Sequence, residues 1–206
     1  MIWNCASFYD LLHCSTGFLF ISGPSIEPGR FGNAIHLPNT ASYDDNIILL
    51  ANHDNDCFGN FSLCPKGVTL SWWFKAPVQP HDWPTMMTTP MLRTQVQKLA
   101  DNTLALNFLL SHKVLYDTMY MNPETYSINE WHLLVITHQN SEVKMYRNGC
   151  EIKMTASPVS ISPDGTFGRY EIGCKSGANC MTVSVDDFRF WTEKKDARFI
   201  WWLWNR

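Results

Sequence analysis

The stretch "EWHLLVITHQNSEVKMYRNGCEIKM", Glu130 to Met154, decides the fold class. Trp131 to Thr137 is a nearly unbroken apolar run, short enough for a strand buried on both faces. Val143 to Arg147 then alternates, Asn148-Gly149 supplies the two positive-φ residues of a type I′ turn, and Cys150 to Met154 returns. An antiparallel hairpin follows from this order.

Outward from the hairpin the signal stays β. Val68 to Phe74 is dense in β-branched and aromatic residues, follows the turn-forming Pro65-Lys66-Gly67, and is stopped by Pro77, so it reads as a core strand. Tyr170 to Gly173 and Met181 to Trp191 read as further strands. Thr103 to Ser111 and Val114 to Met121 are also read as strands, although Leu104 to Leu110 suits a buried helix by periodicity alone. Val78 to Pro90 carries three prolines and reads as a loop. Helical signal is confined to Glu193 to Trp204. The expected fold is all-β, with at most a short C-terminal helix.

Composition limits what this fold can do. The 206 residues are 45% apolar and 17% charged, with 9 Trp, 12 Phe and 7 Tyr, enough for one large core and one expected domain, 1–206. The formal net charge of -3 and the absence of a basic block exclude a polyanion as the natural partner, so no nucleic acid is expected. No run approaches the roughly eighteen apolar residues of a membrane span, and the N-terminus lacks the basic-then-apolar order of a signal peptide. Because the cysteines argue for export, the chain is expected to be a mature fragment or one domain of a longer extracellular protein.

Seven cysteines sit at 5, 14, 57, 64, 150, 174 and 180. Cys57 and Cys64 flank a short polar, glycine-bearing loop, and so do Cys174 and Cys180, which makes each pair a candidate disulfide of an oxidising compartment. Buried free thiols are the alternative. Cys5 with Cys14 is a weaker third pair, leaving Cys150 over. Asn60-Phe61-Ser62, the one N-x-S/T sequon, lies inside the Cys57 to Cys64 loop, so glycosylation at Asn60 and a bridge at its base require the same compartment.

Five segments in succession resemble one family. Gly29 to Leu37, Val68 to Lys75, Glu130 to Thr137, Val143 to Gly149 and Val185 to Trp191 are similar to the strands of laminin G-like domains, and more broadly of the concanavalin A-like jelly rolls that include pentraxin modules. The resemblance implies two antiparallel sheets packed face to face as a jelly-roll sandwich, with Trp72, Phe74, Trp131 and Tyr146 in or beside the core. It names no ligand, because such folds host many functions.

Some jelly rolls of this kind are glycoside hydrolases, which need two carboxylates across the scissile bond, often as E-x-D-x-x-E along a strand. That spacing is absent, and Asp186 and Asp187, being adjacent, are expected on opposite faces of a strand. His132 and His138 flank one apolar strand and read as strand-edge residues rather than ligands. Asp186 reads as an acceptor for backbone N–H groups. No catalytic residue is expected.

Calcium is the one cofactor suggested. Tyr43-Asp44-Asp45-Asn46 resembles in position a region where pentraxins offer ligands, making Asp44 and Asp45 the first metal candidates; Asp54, Asn55 and Asp56 form a second acidic loop. Asp and Asn also make turns by bonding to nearby backbone, and that role is favoured. Trp83 and His81, in the proline-rich loop, are the ligand-binding candidates, an exposed indole being able to stack on a sugar or anchor a protein; a tryptophan folded back over the sheet explains Trp83 equally well. Trp201, Trp202 and Trp204 are expected to dock the C-terminal turn on the sheet, and to mark an interface if they do not.

These residues point to a non-catalytic extracellular recognition or adhesion module that binds a protein or glycan through its rim loops. A structural subunit assembling with neighbouring domains or copies of itself is the second reading, which Cys150 and the Trp-rich terminus would fit. A glycoside hydrolase is a distant third.

Overall fold

The computed structural model describes residues 19–20, 24–38, 47–50, 57–58, 61–77, 85–88, 92–98, 104–111, 116–119, 126–140, 142–152, 170–173 and 182–206. Among them are fourteen strands in two seven-stranded antiparallel sheets. The first holds β1 (Leu19–Phe20), β4 (Ile47–Leu50), β13 (Tyr170–Gly173), β6 (Thr85–Thr88), β7 (Leu92–Lys98), β8 (Leu104–Ser111) and β9 (Tyr116–Met119), in that spatial order. The second runs β12 (Cys150–Ile152), β11 (Glu142–Arg147), β10 (His132–Gln139), β5 (Val68–Lys75), β14 (Val183–Trp191), β3 (Asn33–Leu37) and β2 (Ser25–Pro28). Among the described residues one α-helix, α1 (Ala197–Asn205), follows β14.

Strands β5 and β10 form the centre of the second sheet and are buried along nearly their whole length. Alternation assigns their side chains to two clusters. Leu70, Trp72, Phe74, Leu134 and Ile136 join a core that also includes Met86 and Met87 of β6 and Ile172 of β13, so buried residues of both sheets share it. Trp73, Leu133 and Val135 face the other way, into a second cluster with Tyr146, Trp191 and the helix residues Ile200 and Leu203. Apolar groups are needed on both faces, which is why these strands read as unbroken runs.

The hairpin forms as its turn residues dictate. Asn148 and Gly149 take φ of 48° and 84°, and β11 pairs with β12 from Met145↔Ile152 to Arg147↔Cys150. Leu104–Ser111 is a strand, which resolves the helix alternative. Two readings need correction. Thr85–Thr88, inside the stretch expected to be loop, is a strand that pairs with both β7 and β13. Its flanking prolines terminate it without preventing it, and the ladder on both sides outweighs its weak local propensity.

The second correction concerns Asp186 and Asp187. A bulge in β14 between Asp186 and Arg189 breaks the alternation, Asp187 being left-handed at φ 49°. Val185 and Phe188 both join the shared core, so the two carboxylates between them are brought to the same side rather than opposite sides.

Candidate recognition surface

At one end of the second sheet, residues 57–58 and 61–67 lie in a loop leading into β5. Cys57 and Cys64 are joined by a disulfide, as their spacing suggested. Phe61–Leu63 makes a single 3-10 turn, with Cys64 N donating to Phe61 O at 3.1 Å and Gly67 N to Cys64 O at 2.9 Å. Two aromatic rings fasten the loop inward: Phe58 meets Phe190 edge-on at 4.9 Å, and Phe61 stacks on the same ring at 5.9 Å. Leu63, 49% exposed, and Lys66 are left facing outward. A covalent base and an aromatic clamp thus fasten a small, partly apolar surface to the sheet. Opening the bridge by Cys57→Ser with Cys64→Ser is expected to cost roughly 2 to 3 kcal/mol by the chain-entropy relation, read as a lower urea midpoint.

On the outer face, beside α1, the two aspartates have different duties. Asp186 accepts a hydrogen bond from Phe31 N at 2.7 Å, as expected of a strand carboxylate in this position. Burial pushes its carboxyl above the usual range, against backbone hydrogen bonds from Phe31, Asp187 and Arg30. Gly29 must lack a side chain here, because a Cβ would come 2.5 Å from Asp186 Oδ2. Asp187 accepts from Arg189 Nε at 2.7 Å and from Arg206. Burial raises this carboxyl too, the two arginines opposing it and Asp186 reinforcing it. Both groups are spent on fastening the Gly29 to Phe31 turn and the C-terminus.

A cross-strand cluster invisible in the sequence lies further along this face. Ser184 Oγ is 3.1 Å from His36 Nδ1, Glu27 Oε2 is 3.6 Å from the same nitrogen, and Lys75 Nζ is 2.9 Å from Glu27 Oε1. Burial pushes Glu27 up, but hydrogen bonds from Ser184 and Lys75 and the charges of Lys75 and His36 outweigh it and hold its carboxyl below the usual range. Serine and acid share one ring nitrogen, whereas a nucleophilic triad needs them on opposite nitrogens. The cluster ties β2, β3, β14 and β5 together. Its members are distant in sequence, so only the pairing could reveal it.

The helix supplies a second surface. Asp196 caps it, accepting from Phe199 N at 2.8 Å. Ile200 and Leu203 are buried, and Trp204 stacks on Trp73 at 5.1 Å, so this part of the terminus docks as expected. Trp201 and Trp202 do not. They stand 58% and 52% exposed, and the unpaired, exposed Cys150 lies one residue beyond Gly149, which packs beneath Trp201 and Trp204.

Several candidates lie outside the described residues: Asp44 and Asp45, His81 and Trp83, Asn60, and the cysteines Cys5, Cys14, Cys174 and Cys180. Among the described residues no three His, Cys, Asp or Glu side chains are grouped to hold a metal ion. No described helix is long and apolar enough to cross a membrane.

Two antiparallel sheets sharing a core, with one short terminal helix and a disulfide-closed loop, define a jelly-roll module of the lectin-like class. Residues 50–199 match the Laminin_G_3 family, described as the concanavalin A-like lectin/glucanases superfamily, and the chain belongs to it. No curated protein matches the sequence. Similar solved structures include the binding domain of botulinum neurotoxin DC in complex with rat synaptotagmin II, with a TM-score of 0.66 at 14% identity over 92% of this chain and 46% of that one. The binding domain of Paraclostridial Mosquitocidal Protein 1 gives 0.67 at 15% identity, over 92% and 47%. The botulinum neurotoxin DC binding domain in complex with SialylT gives 0.65 at 14%, over 92% and 46%. The chain thus spans about half the length of these structures, and at such identities the likeness is one of fold.

Proposed function

We propose that this chain is a non-catalytic extracellular recognition module, binding a protein or a glycan through its rim loops. The observation that carries this reading is the 57–67 loop, held by a disulfide and by Phe58 and Phe61 while presenting Leu63 and Lys66 to solvent. A bridge of this kind suits an oxidising compartment, and a glycan on Asn60 would share it. The similar toxin binding domains, one in complex with a synaptotagmin and one with SialylT, support a partner of either chemistry. Calcium held by Asp44 and Asp45 belongs to the same reading.

The test is binding of the secreted chain to arrays of sialylated and neutral glycans and of cell-surface ectodomains, beside Leu63→Asp and an Asp44→Asn, Asp45→Asn double variant. Saturable binding weakened at least tenfold by Leu63→Asp is the expected result, and loss on calcium chelation would bring in the aspartates. Binding indifferent to Leu63 would reject the rim.

The exposed Trp201 and Trp202 favour one second reading, a structural subunit that packs this helix face against another domain. Binding removed by Trp201→Ala with Trp202→Ala, and unaffected at Leu63, would establish that instead.

A further inference from the structure

We propose that His138 is an acid-sensitive latch beneath the Cys57–Cys64 loop, and that protonating its ring releases the loop from the rim. His138 is near the end of β10, opposite Val68 on one side and Val143 on the other. It shares the parity of Leu134 and Ile136, so it points toward the shared core, and it is only 5% exposed. Among the described residues neither ring nitrogen has a hydrogen-bond partner. The loop closes directly over it: the Phe61 ring lies 6.5 Å away, and the backbone at Gly67 passes so near that a Cβ there would sit 2.3 Å from His138 O.

A neutral ring endures this site, whereas an imidazolium has two donors and nowhere to place them. Burial holds the imidazole below its ordinary pKa, and the charge of Lys194 adds to that. The other charged groups of this corner are Lys66 on the loop, Glu142 on β11, which is bonded to Lys194, and Glu193 after β14, which is bonded to Lys195; on β10 itself the other titratable group is His132. None of these accepts a hydrogen bond from the ring. His132 shows the contrast, donating from Nε2 to Ser127 O at 2.9 Å with Asn148 Nδ2 at 3.4 Å from its Nδ1.

The sign follows from linkage. An opened loop returns the ring to water and a pKa near 6.5, so the open form binds more protons than the closed one. The closed form keeps its full advantage above that pH and loses up to about tenfold per pH unit below it. Between pH 7.4 and 5.0 the loss is at most about thirtyfold, the ceiling that the open-state value sets. Because the disulfide keeps the loop short, what acid releases is Phe58 and Phe61 from Phe190, with β5 and β10 left paired. The opening itself is independent of any ligand; that a bound partner would be released in acid rests on the rim-binding reading above.

Hydrogen exchange on the disulfide-intact chain at pH 7.4 and 5.0, corrected for intrinsic rates, tests the latch. Protection over 57–67 is expected to fall at least fivefold at pH 5.0 while β5 and β10 hold. His138→Gln should abolish that fall. Lys194→Met should make that fall smaller, because the closed form then accepts the proton more readily, which keeps the proposal testable if His138→Gln does not fold. Equal protection at both pH values, a fall that survives His138→Gln, a fall undiminished by Lys194→Met, or a fall spread equally over β5 and β10 would each overturn it. None of these readouts uses a ligand, so failure of the rim-binding reading would be seen separately.

Discussion

Replacing Gly67 by alanine is expected to remove about 3 kcal/mol or more of stability, through backbone conformation and a collision together. Gly67 links the disulfide loop to β5 with φ at 76°, a left-handed geometry that costs an L-residue roughly 1 to 2 kcal/mol. A Cβ there would also lie 2.3 Å from His138 O and 2.8 Å from Gln139 Cβ. That oxygen belongs to β10, which is laddered on both sides by β5 and β11, so it cannot step aside. For a chain of this size the melting temperature should fall by roughly 6 to 12 °C. Gly32 is the control: its φ is 86°, yet nothing lies within 4 Å of the place a Cβ would take, so Gly32→Ala should show only the conformational part. Equal losses at the two glycines would mean that the loop does not close on β10.

Trp73→Ala is expected to cost about 3 to 5 kcal/mol, the usual range for emptying a buried tryptophan site. Trp73 is wholly buried on the outer face, stacked on Trp204, met edge-on by Phe31 at 5.8 Å and covered by the Arg30 guanidinium at 5.1 Å. Its loss removes the platform on which α1 rests. Near-UV circular dichroism should weaken, and exchange over 197–205 should accelerate before the sheets open. Trp201→Ala, by contrast, should fall within about 0.5 kcal/mol of the wild type, because that side chain faces solvent.

Much of the second sheet was readable because its signals are local. Asn148-Gly149 can make only a narrow set of turns, and Val68 to Phe74 is bounded by turn residues. In the first sheet, Tyr170 to Gly173 is a strand with the expected bounds. Strands β2, β6 and β7 were not readable. Ser25–Pro28 ends in proline, Thr85–Thr88 is short and proline-flanked, and Leu92–Lys98 is largely polar, so each owes its state to its neighbours in the ladder.

The Cys57–Cys64 bridge follows from spacing around a small loop. The sharing of one face by Asp186 and Asp187 could not be foreseen, because a single left-handed residue at 187 inverts the parity on which the opposite-face reading depends. The burial of His138 was hidden for a different reason. A histidine at the end of an apolar strand is exposed or covered according to what folds over it, and here the cover comes from a loop some seventy residues earlier in the chain.

The most direct test of rim recognition is a hydrogen-exchange footprint of the best array ligand on the intact chain at pH 7.4. Protection gained over 57–67, with 197–205 unchanged, is the expected result. Protection confined to 197–205 would contradict it and make the exposed tryptophans of α1 the binding face.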